Sequence, residues 1–300
     1  MTSVAVVAHS GKVLGQGLGR LRDVLAEQGF TDPIWFEVPK SRKAPARVRE
    51  AIKLGADLIF VWGGDGSVQR CIDAAVGSPV TLAIIPAGTA NLLANNLGIP
   101  IDLEQAVEVG LHGSNRTLDI GKINGEHFAV MGGVGLDALM IGDADAGLKD
   151  RFGRAAYIWT GARHVREAPV HTKVRVDGHT WFNDDASCVL VANVGSIGGG
   201  ITAFDHATPD DGKLDVAVVT ADGAWQWMRA LTRATVGHAE KSPLVHMTQA
   251  TKIKVETRKS LPWELDGGTR PKTDTLRIKV VPRAITIRVP SPSSSSTTAR

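Results

Sequence analysis

Two short stretches near the front of the chain carry the residue types that phosphate chemistry needs: Gly63-Gly64-Asp65-Gly66-Ser67 and Pro86-Ala87-Gly88-Thr89-Ala90-Asn91. Glycines let backbone N–H groups approach a ligand closely and tolerate positive φ, and a helix starting there adds unpaired N–H groups and a dipole that attract phosphate oxygens. A bare carboxylate would repel phosphate, so Asp65, between Gly64 and Gly66, makes most sense beside a metal ion or a transferable proton. Gly63, Gly64, Asp65, Gly66 and Ser67 therefore read as one nucleotide-binding turn, and Gly88, Thr89 and Asn91 as a second. Thr89 could cap a helix or equally offer its hydroxyl to phosphate. Two later acids also stand beside glycine, Asp211 in Pro209-Asp210-Asp211-Gly212 and Asp266 in Asp266-Gly267-Gly268. By residue type alone, each is simply a tight turn.

The elements that must position these residues are legible as periodic patterns. Leu58–Trp62 is an unbroken apolar run, and Val68, Cys71, Ile72, Ala75 and Val76 follow at helical spacing. Similar pairs are Val4–Ala8 with Leu14–Gln28, Ile34–Val38 with Ala46–Leu54, and Thr81–Ile85 with Asn91–Leu97. Strand–helix alternation of this kind predicts a parallel sheet covered by helices on both faces, with ligands at the carboxyl ends of its strands. His9-Ser10-Gly11 and the two glycine turns all lie at such ends.

The style changes after Leu118. Asn124-Gly125 is a hairpin signal between Asp119–Ile123 and His127–Met131, and Thr172–Val176 alternates before Asp177-Gly178. Short apolar runs recur at Ser187–Val194, Leu214–Val219, Lys252–Glu256, Leu276–Val281 and Ile285–Val289, which predicts antiparallel β structure. Helices are expected near Arg154–Val165 and Trp225–Val236. The domains predicted are an α/β unit over residues 1–120, a mainly β unit over 121–281, and a disordered tail over 291–300 that is too rich in serine to bury apolar surface.

Composition narrows the function. A chain of 300 residues, 43% apolar with 33 glycines, can bury full cores. A formal net charge of +3 suits anionic phosphates or lipid but is too small to argue for nucleic acid. The start has no basic segment and too short an apolar run for a signal peptide or membrane span, so a cytoplasmic protein is expected. Cys71 and Cys188 have apolar neighbours and read as packing residues, and the histidines lack ligand spacing for zinc.

The ordered set of motifs resembles the soluble diacylglycerol kinase and lipid kinase family, which includes sphingosine kinases, and most of all its bacterial, actinobacterial-like members. It consists of the two glycine turns, Gly133-Val134-Gly135-Leu136-Asp137, the stretch Lys149–Tyr157, Asn193-Val194-Gly195, residues 209–216 and Glu264-Leu265-Asp266-Gly267. The resemblance implies an N-terminal phosphofructokinase-like α/β domain and a C-terminal β-sandwich, with residues 282–290 returning to the first domain. It implies ATP and Mg²⁺ as cofactors and phosphorylation of a lipid alcohol, diacylglycerol to phosphatidic acid being the leading reaction. Carried over residue by residue, it makes Asp65 and Asp266 catalytic, Asp266 as general base. It makes Asp211 a structural magnesium ligand together with the backbone carbonyls of Thr208 and Lys213. The partner expected is the lipid substrate at a transient peripheral membrane contact, with no nucleic acid, and a homodimer is compatible with the chain.

Departures from the family pattern keep alternatives open. Ala8-His9 stands where many members have Asn-Pro, Val38 where many have threonine, Arg70 where a helix glutamate falls, and Gly268 where an acid usually follows Asp-Gly. Lys40, Arg42 and Lys43 could meet a phosphate or form a solvated loop, and Asp137 and Asp215 receive no chemical role. Trp225, Trp227, Met228 and Leu231 could face lipid or pack a helix onto the β domain. The competing functions are a soluble-substrate kinase of the NAD kinase type and a nucleotide-binding regulatory protein with weakened catalysis.

Overall fold

The apolar runs of the first hundred residues become the strands of a parallel sheet. The computed structural model describes residues 2–135, 168–198, 201–223, 225–227, 229 and 242–291. The expected helix at Arg154–Val165, the stretch Lys149–Tyr157, Asp137, Met228, Leu231 and the tail beyond Ser291 lie outside the described residues. The chain divides into two units, one running to Thr117 and resuming at Ile285, the other spanning Leu118–Ala284.

In the first unit β1 (Val4–His9), α1 (Leu18–Glu27), β2 (Ile34–Val38), α2 (Ala44–Lys53), β3 (Leu58–Gly63), α3 (Asp65–Ala75), β4 (Thr81–Pro86), α4 (Leu92–Asn96) and α5 (Leu103–His112) follow one another. β1 pairs in parallel with both β2 and β3, and β3 with β4. Thr286 and Ile287 add a further parallel partner beside Thr81 and Leu82. The chain thus winds outward in opposite directions from β1 and β3, and the crevice at such a reversal is where open α/β sheets bind ligands. Every residue of β3 is buried. Leu58, Phe60 and Trp62 pack with Leu21 and Leu25 of α1 and Leu103 and Val107 of α5, each large side chain contributing about 1.5–3 kcal/mol. Cys71 lies in the core of α3, where burial pushes its thiol up to about 12, so it is no nucleophile. Cys188 is also free and buried.

The second unit is antiparallel. β5 (Ser114–Ile123) enters it, followed by β6 (Glu126–Phe128), β7 (Met131–Val134), β8 (Val170–Val176), β9 (His179–Ala186), β10 (Cys188–Ala192), β11 (Ser196–Gly198), β12 (Ile201–Thr202), β13 (Leu214–Val219), β14 (Val245–Ala250), β15 (Lys252–Leu265) and β16 (Gly268–Val289). The pairing order is β14-β13-β10-β7-β15-β16, with the β8–β9 hairpin on β15, the β5–β6 hairpin on β16, and β11–β12 as a separate pair. Its core gathers Phe128, Val174, Val191, Val216, Ile253, Val255, Trp263 and Leu276. Three hairpins turn on an Asx-Gly dipeptide with positive φ at both positions: 47° and 103° at Asn124-Gly125, 47° and 92° at Asp177-Gly178, 42° and 81° at Asp266-Gly267. Those are the angles of a type I′ turn.

Two expectations need correcting. Lys252–Glu256 is the first part of a longer strand, because register shifts between Glu256 and Trp263 let β15 pair first with β8 and then with β7. Likewise Leu276–Val281 and Ile285–Val289 belong to one strand, which passes through Arg283 at φ 49°. Among the described residues no helix is long and apolar enough to cross a membrane.

Candidate active site

The two glycine turns of the first unit press against each other. A Cβ on Gly64 would lie 2.9 Å from Gly88 Cα, and one on Gly88 would collide with Gly64 Cα, so only glycine at both positions allows the approach. A Cβ on Gly63 would come 2.6 Å from Ser67 Cβ and 3.9 Å from His9 Cβ, which brings the turn after β1 to the same place. That turn is held by Trp62, whose Nε1–H donates to the Lys12 carbonyl at 3.0 Å. The Ser67 and Val68 N–H groups both donate to the Gly64 carbonyl, at 2.9 and 3.0 Å. The N–H of Gly66 has no partner among the described residues, as the first turn of a helix requires.

Asp65 bridges the turns: its Oδ1 accepts the Leu92 N–H at 2.6 Å and so caps α4 from the neighbouring loop. Of the two roles open to Thr89, capping that helix is not the one the structure gives it. Thr89 is exposed, and the cap position is Asn91, in the left-handed region at φ 47°. The Asn91 side chain is buried within its own loop. Its Oδ1 accepts the Gly88 N–H at 2.8 Å and its Nδ2 donates to the carbonyls of Gly88 and Pro86, at 2.9 and 3.3 Å. Asn91 therefore shapes the loop, whereas Gly88 and Thr89 form its surface. Lys40, Arg42 and Lys43 are exposed.

In the second unit, the Asp266 turn faces inward. The side chain is 5% exposed, and three backbone N–H groups converge on its carboxylate: Ala129 on Oδ2 at 2.8 Å, Val130 and Met131 on Oδ1 at 3.0 and 2.9 Å. The Asp266 N–H returns a bond to the Met131 carbonyl at 2.9 Å. The hairpin and the oriented acid are thus one object. Beside it, Gly268 makes room for Arg270, since a Cβ there would stand 2.6 Å from Arg270 Nη1. That guanidinium donates to the Gly268 carbonyl at 3.0 Å and forks onto Glu126 at 2.8–2.9 Å. Where an acid was expected by resemblance, a cation occupies the space.

The Asp211 turn is exposed, and its carboxylate accepts the Lys213 N–H at 2.9 Å. Asp215 is half-buried nearby with Gln249 Nε2 on its Oδ1 at 3.1 Å, and burial, aided by the charge of Asp211, holds its carboxyl above the usual range. Such a donor set, one carboxylate oxygen without a protein partner among the described residues and carbonyls in the same turn, suits a hard cation in type. Among the described residues there is no cluster of three acidic, histidine or cysteine side chains.

Comparison with known proteins decides the family. The diacylglycerol kinase catalytic domain matches residues 4–123, and the YegS C-terminal NAD kinase beta sandwich-like domain matches residues 131–289. The diacylglycerol kinase of Bacillus subtilis strain 168 is 30% identical over 227 residues, 73% of each chain. The chain belongs to the diacylglycerol kinase and YegS-like lipid kinase family. A Shewanella frigidimarina relative named "Probable lipid kinase YegS-like" is 26% identical over 97% of this kinase and 94% of its own length. Two Bacillus anthracis crystal structures superpose with TM-scores of 0.79 and 0.75 at 26% and 23% identity, each over 96% of this chain and over 95% and 96% of theirs. The second is named a diacylglycerol kinase. An Archaeoglobus fulgidus NAD kinase, TM-score 0.52 at 12% identity, covering 95% of this chain and 92% of its own, shares the fold alone.

Sequence reasoning missed the residues that hold this kinase's turns. Buried Asp119 accepts the Gly212 N–H at 2.6 Å and the Arg283 N–H at 2.7 Å, so it fixes the Asp211 turn from across the unit. Buried Asn193 donates to the carbonyls of Asp119 and Ala129 at 2.8 and 3.2 Å, which ties that turn to the segment gripping Asp266. Asp119 lies inside β5 and Asn193 one residue past the end of β10, both within apolar runs, and a polar residue there was the available signal. Of the tryptophans, Trp227 is buried and Trp225 is 67% exposed.

Proposed function

We propose that this kinase transfers the γ-phosphoryl group of ATP to the hydroxyl of a lipid alcohol, with diacylglycerol as acceptor and phosphatidic acid as product. The observation that carries the reading is the mutual packing of the two glycine turns, clamped by Asp65, in a chain of this family. Phosphoryl transfer needs phosphates cradled, charge neutralised and the attacking oxygen aligned. Gly63, Gly64 and Gly66 would cradle the triphosphate with their bare backbone, Ser67 would offer its hydroxyl, Gly88 and Thr89 would line its other side, and Asn91 would hold that loop in shape. Asp65 would orient the phosphates through their counter-ion. Asp266 would take the hydroxyl proton as the acceptor oxygen bonds to the γ-phosphorus and the bridging bond to ADP breaks.

Asp211, with the carbonyls of Thr208 and Lys213, would hold a structural Mg²⁺. When bound there, the ion would offset the like charges of Asp211 and Asp215 and stiffen the turn. The deciding experiment incubates the purified chain with labelled ATP, Mg²⁺, NAD and a lipid extract, and identifies the labelled product. Label on phosphatidic acid is the expected outcome, lost in Asp65→Asn and Asp266→Asn. Label on NAD, or tight ATP binding with no labelled lipid, would reject the proposal.

A further inference from the structure

The outer face of the second unit's sheet carries an unusual row of like charges. Lys254 of β15 stands directly opposite Arg175 of β8 on one side and Arg277 of β16 on the other. One step along, Lys252 faces Lys279. The residues between them, Ile253, Val255, Leu276 and Ile278, point into the core, so the strands alternate cation outward and hydrocarbon inward. Like charges placed directly opposite each other destabilise a sheet by up to about 1 kcal/mol per pair. Sheet stability alone would select against such a row.

These five cations and Lys122 line a recess of about 1000 Å³ in which, among the described residues, the one carboxylate belongs to Asp274. The whole chain carries a formal net charge of only +3, so its positive charge is concentrated here and the remainder is net acidic. Of the nearby acids, Glu256 is paired with Lys254 at 2.6 Å, which leaves Arg175, Arg277, Lys252, Lys279 and Lys122 as the cations that carry the face's charge, and Asp177 accepts the Thr251 and Lys252 N–H groups at 3.1 and 2.8 Å. Three adjacent strands spread the central row over about 10 Å, wider than a single phosphate needs. Among the described residues no aromatic side chain lines the recess, so these give it no stacking platform of the kind a single-strand nucleic-acid site uses.

We infer that this basic face docks the kinase on an anionic phospholipid surface, by charge and without insertion. The inference rests on the lipid-kinase reading for its choice of polyanion, since an enzyme with a membrane-resident acceptor must reach a bilayer.

The test is co-sedimentation of the full chain with phosphatidylcholine vesicles, with and without phosphatidylglycerol. Binding is expected only with phosphatidylglycerol, weakening as salt is added. The triple variant Arg175→Gln, Arg277→Gln, Lys279→Gln should bind on the order of 100-fold more weakly, about fivefold per cation. Its thermal midpoint should equal or exceed that of the parent, because the repulsion is gone, and it should phosphorylate detergent-dispersed short-chain diacylglycerol at the parent's rate. Equal vesicle binding by parent and variant, or binding indifferent to phosphatidylglycerol, would overturn the docking surface. So would a preference for a single-stranded oligonucleotide over vesicles that the variant loses. Intact vesicle binding with no lipid phosphorylated in either format would instead overturn the kinase reading and leave the surface standing.

Discussion

Asp65 and Asp266 are both carboxylates set against glycine, yet their surroundings differ. Asp65 is half-buried at the start of a helix and bonds the Leu92 N–H of a second loop. Asp266 is sealed at the tip of a hairpin with three N–H groups from residues 129–131. One acid joins two loops from a partly buried position, and the other anchors a turn into its own unit. Residue type and a neighbouring glycine therefore say little about how much of the fold depends on an acid. The number of donors that converge on it says more, because a buried donor left without its acceptor costs about 1–3 kcal/mol.

The largest expected effect follows from breaking that difference at Asp266. Asp266→Asn turns an amide toward three donors, so it should lower unfolding free energy in urea by about 3 kcal/mol and phosphoryl transfer by about 100-fold or more. Asp65→Asn should cost about 100-fold in transfer and under about 1 kcal/mol in stability, since Leu92 keeps an oxygen to donate to. Equal stability losses in the two variants would erase the contrast. Next comes the packing of the loops. Gly88→Ala places a methyl against Gly64, so ATP affinity should fall with a stability loss of about 1–3 kcal/mol, read by calorimetry and thermal unfolding. Asn91→Ala should cost about 2 kcal/mol and some ATP affinity together, because the loop loses its internal bonds.

Much of the first unit was legible in the sequence because β1, β3 and β4 are buried on both faces and read as continuous apolar runs. Leu58–Trp62 extends by one residue to become β3, and Asp65 starts α3 as the glycine turn required. The second unit was legible at its turns, where Asn-Gly and Asp-Gly fix the backbone locally, and less so along its strands. The bend in β15 depends on partners in β7 and β8 that lie far away in sequence. Within the candidate site, the glycines could be read because their need is local. The three donors on Asp266, the Asp65–Leu92 bond and the grip of Asp119 on residue 212 could not, since each joins segments that only tertiary structure brings together. Gly268 is the sharpest case. It reads as a loss until Arg270 is seen to fill its space, so Gly268→Asp should set a carboxylate against that guanidinium rather than restore an open site.

The smallest predicted effect concerns Asp215, an acid with neither a ring of backbone donors nor open solvent. Burial and the nearby charge of Asp211 raise its carboxyl above the value of about 3.9 expected in the unfolded chain. As pH rises past that value, the unfolded chain releases its proton before the folded one does. The stabilising contribution of the protonated form, complete below about pH 3.9, is therefore lost as pH climbs through the raised folded value. Asp215→Asn keeps an oxygen for Gln249 and removes the titration, so its stability should fall less than the parent's across that window. The difference should stay under about 1 kcal/mol because the group is only half-buried and water screens it. Mg²⁺ sharpens the test: an ion held at Asp211 would draw the Asp215 carboxyl back toward its ordinary value and shrink the difference between parent and variant. In an Asp211→Asn background Mg²⁺ should leave the pH dependence of stability unchanged, and an equal response with and without the Asp211 carboxylate would remove the metal from this turn.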